Sequence, residues 1–190
     1  MAFVVTALVA TTASTAAFAD AEAWQAERYP YSVVSENVHD ALTNFGYNLG
    51  VRVMVSPHVA GVVQGRRADG SARQFLDDVT RANDLDWYSD GTVIYVSPSS
   101  EEQTAVVPLN GFSFDVMKKE LEQQKLFDDR FRMTKQIGDG AAILSGPPSF
   151  VAVMKQAIEA RVGNGIESIP GASQDLVVLR GSQSSSMKVR

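Results

Sequence analysis

Hydrophobic positions along the chain change period several times, and each change marks an element. Tyr31, Val33 and Val34 give a short strand signal. Ser35 stands where an N-cap belongs, ahead of Val38, Ala41, Leu42, Phe45 and Leu49, whose spacing predicts a helix with one buried face. Gly50 ends that helix, and the β-branched run Val51-Arg52-Val53-Met54-Val55 predicts a strand closed by Ser56-Pro57. A weaker strand signal covers Gly61 to Gly65. Asp69-Gly70-Ser71 then supplies turn and cap for a second helix with Ala72, Phe75, Leu76 and Val79 on its inner face. Leu85–Tyr88 and Thr92–Val96 read as two strands joined through Ser89-Asp90-Gly91, since Asp-Gly tolerates the positive φ of a tight hairpin turn. Residues 24–98 therefore read β-α-β-β-α-β-β.

Residues 99–104, SSEEQT, have the composition of a linker. A second unit is expected over 105–162. Val106, Val107 and Leu109 give a strand from Ala105, and a helix from about Ser113 turns Phe114, Met117 and Leu121 inward. Phe131 and Met133 alternate with Arg130 and Arg132 as a strand, Gly138-Asp139-Gly140 turns, and Ala141–Ser145 returns as its partner. Gly146-Pro147-Pro148-Ser149 opens a last helix with Phe150, Val153, Met154, Ala157 and Ile158 buried. This unit reads β-α-β-β-α. Residues 163–190 lose the pattern and are expected to be a flexible tail with one strand signal, Leu176–Leu179. The fold class is α+β, in two small two-layer domains.

Composition narrows the function. The 190 residues are 45% hydrophobic and 21% charged, the balance of a folded chain, and no apolar run reaches the roughly 20 residues a spanning helix needs. A net charge of -5 gives no electrostatic reason for a nucleic-acid partner. Cysteine is absent, which removes disulfides, thiolate metal sites and cysteine nucleophiles. The first residues, MAFVVTALVATTASTAAFA, place an apolar stretch before Ala17-Phe18-Ala19, where small residues match a signal-peptidase site. Residues 1–19 are read as a secretory signal cleaved between Ala19 and Asp20, although no Lys or Arg precedes the apolar run; an uncleaved apolar arm is the alternative.

No catalytic, cofactor or metal constellation stands out. His39, beside Asp40, and His58, after Pro57, lack the spacing of a ligand pair and read as solvated imidazoles. Asp84, Asp86 and Asp90 fail as a calcium loop because the third ligand position falls on Tyr88. Asp77-Asp78 and Asp128-Asp129 are sequence neighbours, and on a helix neighbours diverge by about a hundred degrees, which makes poor acid–base pairs. Trp87, Tyr88 and Tyr95, with Trp24, Tyr29 and Tyr31 upstream, form an aromatic set that suits core and cross-strand packing better than a ligand face. The charges are more suggestive. Arg66, Arg67, Lys118, Lys119, Arg130 and Arg132 contrast with Asp77 and Asp78, and such a surface suits either plain solvation or a head-to-tail contact between copies that closes into a ring.

Several runs resemble one family. Tyr31-Ser-Val-Val, Val38-His-Asp-Ala-Leu42, Gly50-Val-Arg-Val-Met-Val-Ser56, Gly61-Val-Val-Gln-Gly65, Phe75-Leu-Asp, Leu85-Asp-Trp-Tyr-Ser-Asp-Gly91 and Val93-Ile-Tyr-Val96 resemble the N-terminal domain of type III secretion secretins. The segment with Ser145-Gly-Pro-Pro148 is similar to their second, ring-building, KH-like domain, and Leu176–Leu179 to the strand that opens the next module. A full secretin continues into an outer-membrane barrel, and the chain resembles the short NolW-type proteins of nodulating bacteria, which lack it.

The resemblance implies a periplasmic ring component of a type III channel that scaffolds effector export. Its expected partners are copies of itself, a separate secretin barrel subunit and the inner-membrane ring of the apparatus, with outer-membrane association through those partners. Neither nucleic acid nor a small-molecule substrate is expected, nor a cofactor, nor enzymatic activity. The alternative is a signalling module, because the first arrangement also resembles the N-terminal domain of TonB-dependent transducers; residues 105–162 have no place in that arrangement.

Overall fold

The computed structural model describes residues 22–166 except 137 and 139, and the short strands at 179–180 and 183–184. The expected signal segment and cleavage point at Ala19 and Asp20 lie outside the described residues, as do Leu176, Val177 and Val178 of the expected tail strand.

The first unit runs β1 (Arg28–Asn37), α1 (Val38–Leu49), β2 (Arg52–Val55), β3 (Val62–Ser71), α2 (Ala72–Ala82), β4 (Leu85–Ser89) and β5 (Val93–Pro98), preceded by a 3-10 turn at Ala23–Ala26. This is the order read from the sequence, with different boundaries. The cap of α1 is Asn37 and not Ser35: its side chain accepts from the His39 N–H at 2.8 Å, and Ser35 lies inside β1. Strands β1 and β3 are much longer than their apolar signals, pairing antiparallel from Arg28↔Ser71 to Asn37↔Val62. Among the described side chains of β3, Val63 enters the core, and the main-chain ladder holds the ribbon together.

A second sheet has the order β2-β5-β4, with β2 parallel and β4 antiparallel to the central β5. Helices α1 and α2 touch both sheets. Its core gathers Val38, Leu42 and Phe45 of α1, Phe75, Leu76 and Val79 of α2, and Trp24, Trp87, Ile94 and Val96. Trp24 meets Phe45 and Trp87 edge-on at 5.8 and 5.9 Å, which anchors the N-terminal turn. Gly46 lets α1 lie close on β2: a Cβ there would stand 2.7 Å from Val53 Cγ2 and 2.8 Å from the Val51 carbonyl oxygen.

The second unit runs β6 (Gln103–Pro108), α3 (Phe114–Gln123), β7 (Arg132–Lys135), β8 (Ala141–Gly146) and α4 (Pro148–Ile166). Gln103 and Thr104, expected in the linker, already pair with Gly146 and Ser145, and the chain between the sheets is a 3-10 turn at Ser99–Glu101. The sheet order is β6-β8-β7, antiparallel throughout. Val107, Met133, Ala142 and Leu144 point inward onto Met117 and Leu121 of α3 and Phe150, Met154 and Ile158 of α4. Arg130 and Phe131 precede β7 and are not part of it, a correction to the expected strand. Beyond α4, β9 (Leu179–Arg180) and β10 (Gln183–Ser184) pair antiparallel.

Candidate functional site: the junction of the two units and its flanking surfaces

Adjacent residues on β4 serve different cores. A strand turns successive side chains to opposite faces, so Trp87 enters the first core while Tyr88 faces the second. Tyr88 is fully buried there, 5.4 Å from Phe150 and 6.5 Å from Phe131, both edge-on, and it stacks on Tyr95 of β5 at 6.4 Å. Its hydroxyl donates to the Leu126 carbonyl at 2.8 Å, so a residue of the first unit is hydrogen-bonded inside the second. Burial first, then the charges of Asp90 and Asp128, pushes the Tyr88 phenol well above its usual range. The sequence offered a signal for this: a Trp-Tyr pair on one strand requires apolar cover on both faces.

Around this wedge sits a charged clasp. Arg130 lies over the Trp87 ring at 3.8 Å and donates from Nη2 to the Trp87 carbonyl at 3.0 Å. Asp128 holds the guanidinium with contacts of 2.6 to 3.1 Å, and Asp77 stands 3.9 Å from it. Asp77 also accepts from the Trp87 indole N–H at 2.8 Å. Asp77 and Arg130 are thus brought together within one subunit, and both work at the junction.

The other candidate charges are scattered. Asp78 lies 3.8 Å from Arg81, and Lys118 pairs with Glu122 at 3.6 Å and covers the Phe127 ring at 5.0 Å. Lys119 on α3 and Arg132 on β7 are exposed and make no ion pair among the described residues. Arg66 and Arg67 sit on β3 opposite Val33 and Ser32; their side chains lie outside the description. On the outer face of sheet β6-β8-β7, Val106, in register with Ile143 and through it Thr134, is 57% exposed among the described residues.

The histidines do not meet a common ligand set. His39 Nδ1 is 3.9 Å from Asp40, and His58 Nδ1 is 2.5 Å from Glu101. Among the described residues no group of three or more acidic or histidine side chains is placed to hold a metal, and no helix is long and apolar enough to cross a membrane. Asp90 serves the β4–β5 turn, accepting from the Thr92 and Val93 N–H groups at 2.8 Å.

Two small α+β units of this element order, joined through an aromatic wedge, share their fold with the N-terminal region of a secretin. In the Salmonella SPI-1 type III secretion injectisome basal body, a chain of the model containing InvG, PrgH and PrgK superposes with a TM-score of 0.61 at 19% identity, over 84% of this chain and 36% of that one. A focussed refinement of the InvG N0N1 region from the same injectisome gives 0.58 at 21% identity, over 72% of this chain and 95% of that one. No family model matches the chain. The nodulation protein NolW of Rhizobium fredii is 35% identical over 159 residues, 81% of this chain and 68% of that protein. The type 3 secretion system secretin of Ralstonia nicotianae is 28% identical over 132 residues, 70% of this chain and 23% of that secretin. The chain belongs to the NolW family, and it spans about a quarter of the length of the full type 3 secretion system secretins it matches.

Proposed function

We propose that this chain builds a periplasmic ring layer of a type III secretion channel, with copies packed side by side below a pore-forming subunit at the outer membrane and above the inner-membrane ring. Its membership of the NolW family, joined to its similarity to secretin N-terminal regions, carries the reading. The role is geometric and not catalytic: the module shapes a conduit for exported proteins. Small units bury a modest fraction of their surface alone, so lateral association adds burial and stabilises each subunit through mass action.

Two surfaces suit that contact. The outer face of β6-β8-β7 offers Val106 and Ile143 beside Arg132, and α3 offers half-exposed Val116 with Lys119 one turn along. A head-to-tail match of such unlike surfaces closes into a ring when the rotation allows. In this reading Arg66, Arg67, Asp78, Lys118, Lys119 and Arg132 steer neighbouring copies, while Asp77 and Arg130 fix the junction. Residues 24–98 and 103–162 act as two rings joined at 99–102, and residues 1–19 direct export before cleavage after Ala19.

The test is a clean deletion in the source bacterium. Type III effectors should disappear from the medium and return when the full chain is supplied, but not when Val106→Asp with Arg132→Glu is supplied as a folded protein. Undiminished effector secretion after deletion overturns the reading.

A further inference from the structure

The described chain begins at the seam between the two units. Trp24 is buried against Phe45 and Trp87, which gives the 3-10 turn at Ala23–Ala26 a fixed seat. Glu22 stands at the start of that turn, its carbonyl accepting from the Gln25 N–H at 3.0 Å. Glu22 also lines a cleft of about 300 Å³ that it shares with Asp128, Asp129 and Arg130 of the second unit.

The cations of this cleft are already held. Asp128 binds Arg130 at 2.6 Å, and Arg73 donates to the Gln25 side chain at 2.7 Å and lies 3.5 Å from Asp77. Lys125 is itself engaged. Two carboxylates are left over. Asp129 is exposed and makes no ion pair among the described residues, nor does Glu22, whose side chain makes no capping bond to its own turn. The cleft therefore has room and charge for one more cation, on the side where the chain arrives.

We propose that the α-ammonium group created at Asp20 when residues 1–19 are removed docks in this cleft against Asp129 and Glu22, and so latches the two units together only in the mature chain. The proposal rests on the reading that cleavage follows Ala19, and not on ring assembly. Hydrolysis breaks the C–N bond between Ala19 and Asp20. Water supplies the hydroxyl that leaves with Ala19 as a carboxyl group and the hydrogen that makes the Asp20 nitrogen an amine, protonated at neutral pH. Only Ala21 lies between Asp20 and Glu22, a reach of about 7 Å, so the new cation stays beside the cleft at high effective concentration. An uncleaved chain has a neutral peptide link at the same place. Asp129 is flanked by Asp128 and Arg130, which clasp Trp87, so seating the amine also steadies the segment that carries the clasp.

The test has two parts. The mass of the chain recovered from the periplasm of the source bacterium reads its N-terminus, expected at Asp20. The full mature chain is then compared with its Nα-acetylated form, with Asp129→Asn, and with a form carrying one alanine ahead of Asp20; circular dichroism confirms that each is folded. At low salt, acetylation should speed proteolysis at Ser99–Glu101 by about two- to fivefold, and the difference should fade at high salt. The added alanine and Asp129→Asn should act alike, and acetylation should add nothing further to Asp129→Asn. The amine should titrate above its ordinary range of about 7.7–8.0, and lower when Asp129 is replaced. A different natural N-terminus overturns the cleavage reading and this proposal together. Asp20 as the natural N-terminus, with proteolysis and amine titration both unmoved by Asp129→Asn, overturns this proposal alone.

Discussion

The guanidinium of Arg130 lies flat enough on the indole of Trp87 to put its central carbon 3.8 Å from the ring centroid, although the two residues are 43 positions apart and belong to different units. The same group bonds the Trp87 carbonyl, so ring stacking and hydrogen bonding act on one residue of β4. A planar fork does both; an ammonium does not.

Arg130→Lys should therefore loosen the junction while keeping its charge. A cation–π contact and a charged hydrogen bond together suggest a loss of about 1–2 kcal/mol, reduced by the partial exposure of the arginine. Urea denaturation should show a lowered midpoint, and limited proteolysis should cut faster near Ser99–Glu101. An unchanged midpoint and cleavage rate would show that the clasp contributes nothing.

Tyr88 gives a pH dependence with a definite sign. Its phenol is held above the ordinary value of 10.0, first by burial and then by Asp90, Asp128 and Tyr95, so the folded protein disfavours the phenolate. The unfolded chain loses this proton near pH 10 and the folded chain higher still, so stability is complete below about pH 10 and falls as pH rises above it. Tyr88→Phe removes that component: its alkaline unfolding should be shallower than wild type, at a cost of about 1 kcal/mol at neutral pH from the lost bond to Leu126. A variant with the same alkaline slope would assign the loss to other groups.

Gly46→Ala tests the approach of α1 to β2. Alanine favours helix by up to about 1 kcal/mol, yet its methyl would press on the Val51 carbonyl oxygen at 2.8 Å, which backbone cannot easily yield. Net destabilisation of about 1–3 kcal/mol is expected in chemical denaturation. Stabilisation would show that the helix can back away from the strand freely.

Much of this architecture was legible because periodicity reports burial. Val38, Ala41, Leu42 and Phe45 announced α1, and Phe150, Met154 and Ile158 announced α4, since those spacings place every member on one face. The length of β1 and β3 was not legible: Asp69 and Gly70 look like turn residues, and main-chain pairing across the ribbon leaves no mark on side-chain pattern. Ser35 was a sound cap by type, but the strand claimed it and Asn37 took the role. Of the charges, Arg130 and Asp77 turned out to meet at Trp87, a convergence of three distant segments that no local window contains.

The central claim is assembly with a secretin pore, and its most direct test is to isolate that pore from outer membranes of the source bacterium by an affinity tag on the full chain. The account predicts co-purification of a barrel-forming subunit in ring-shaped particles by electron microscopy, with added density on the periplasmic side that is absent when this chain is deleted. A tagged chain recovered alone as a soluble monomer, with pore particles of unchanged outline in its absence, would contradict it.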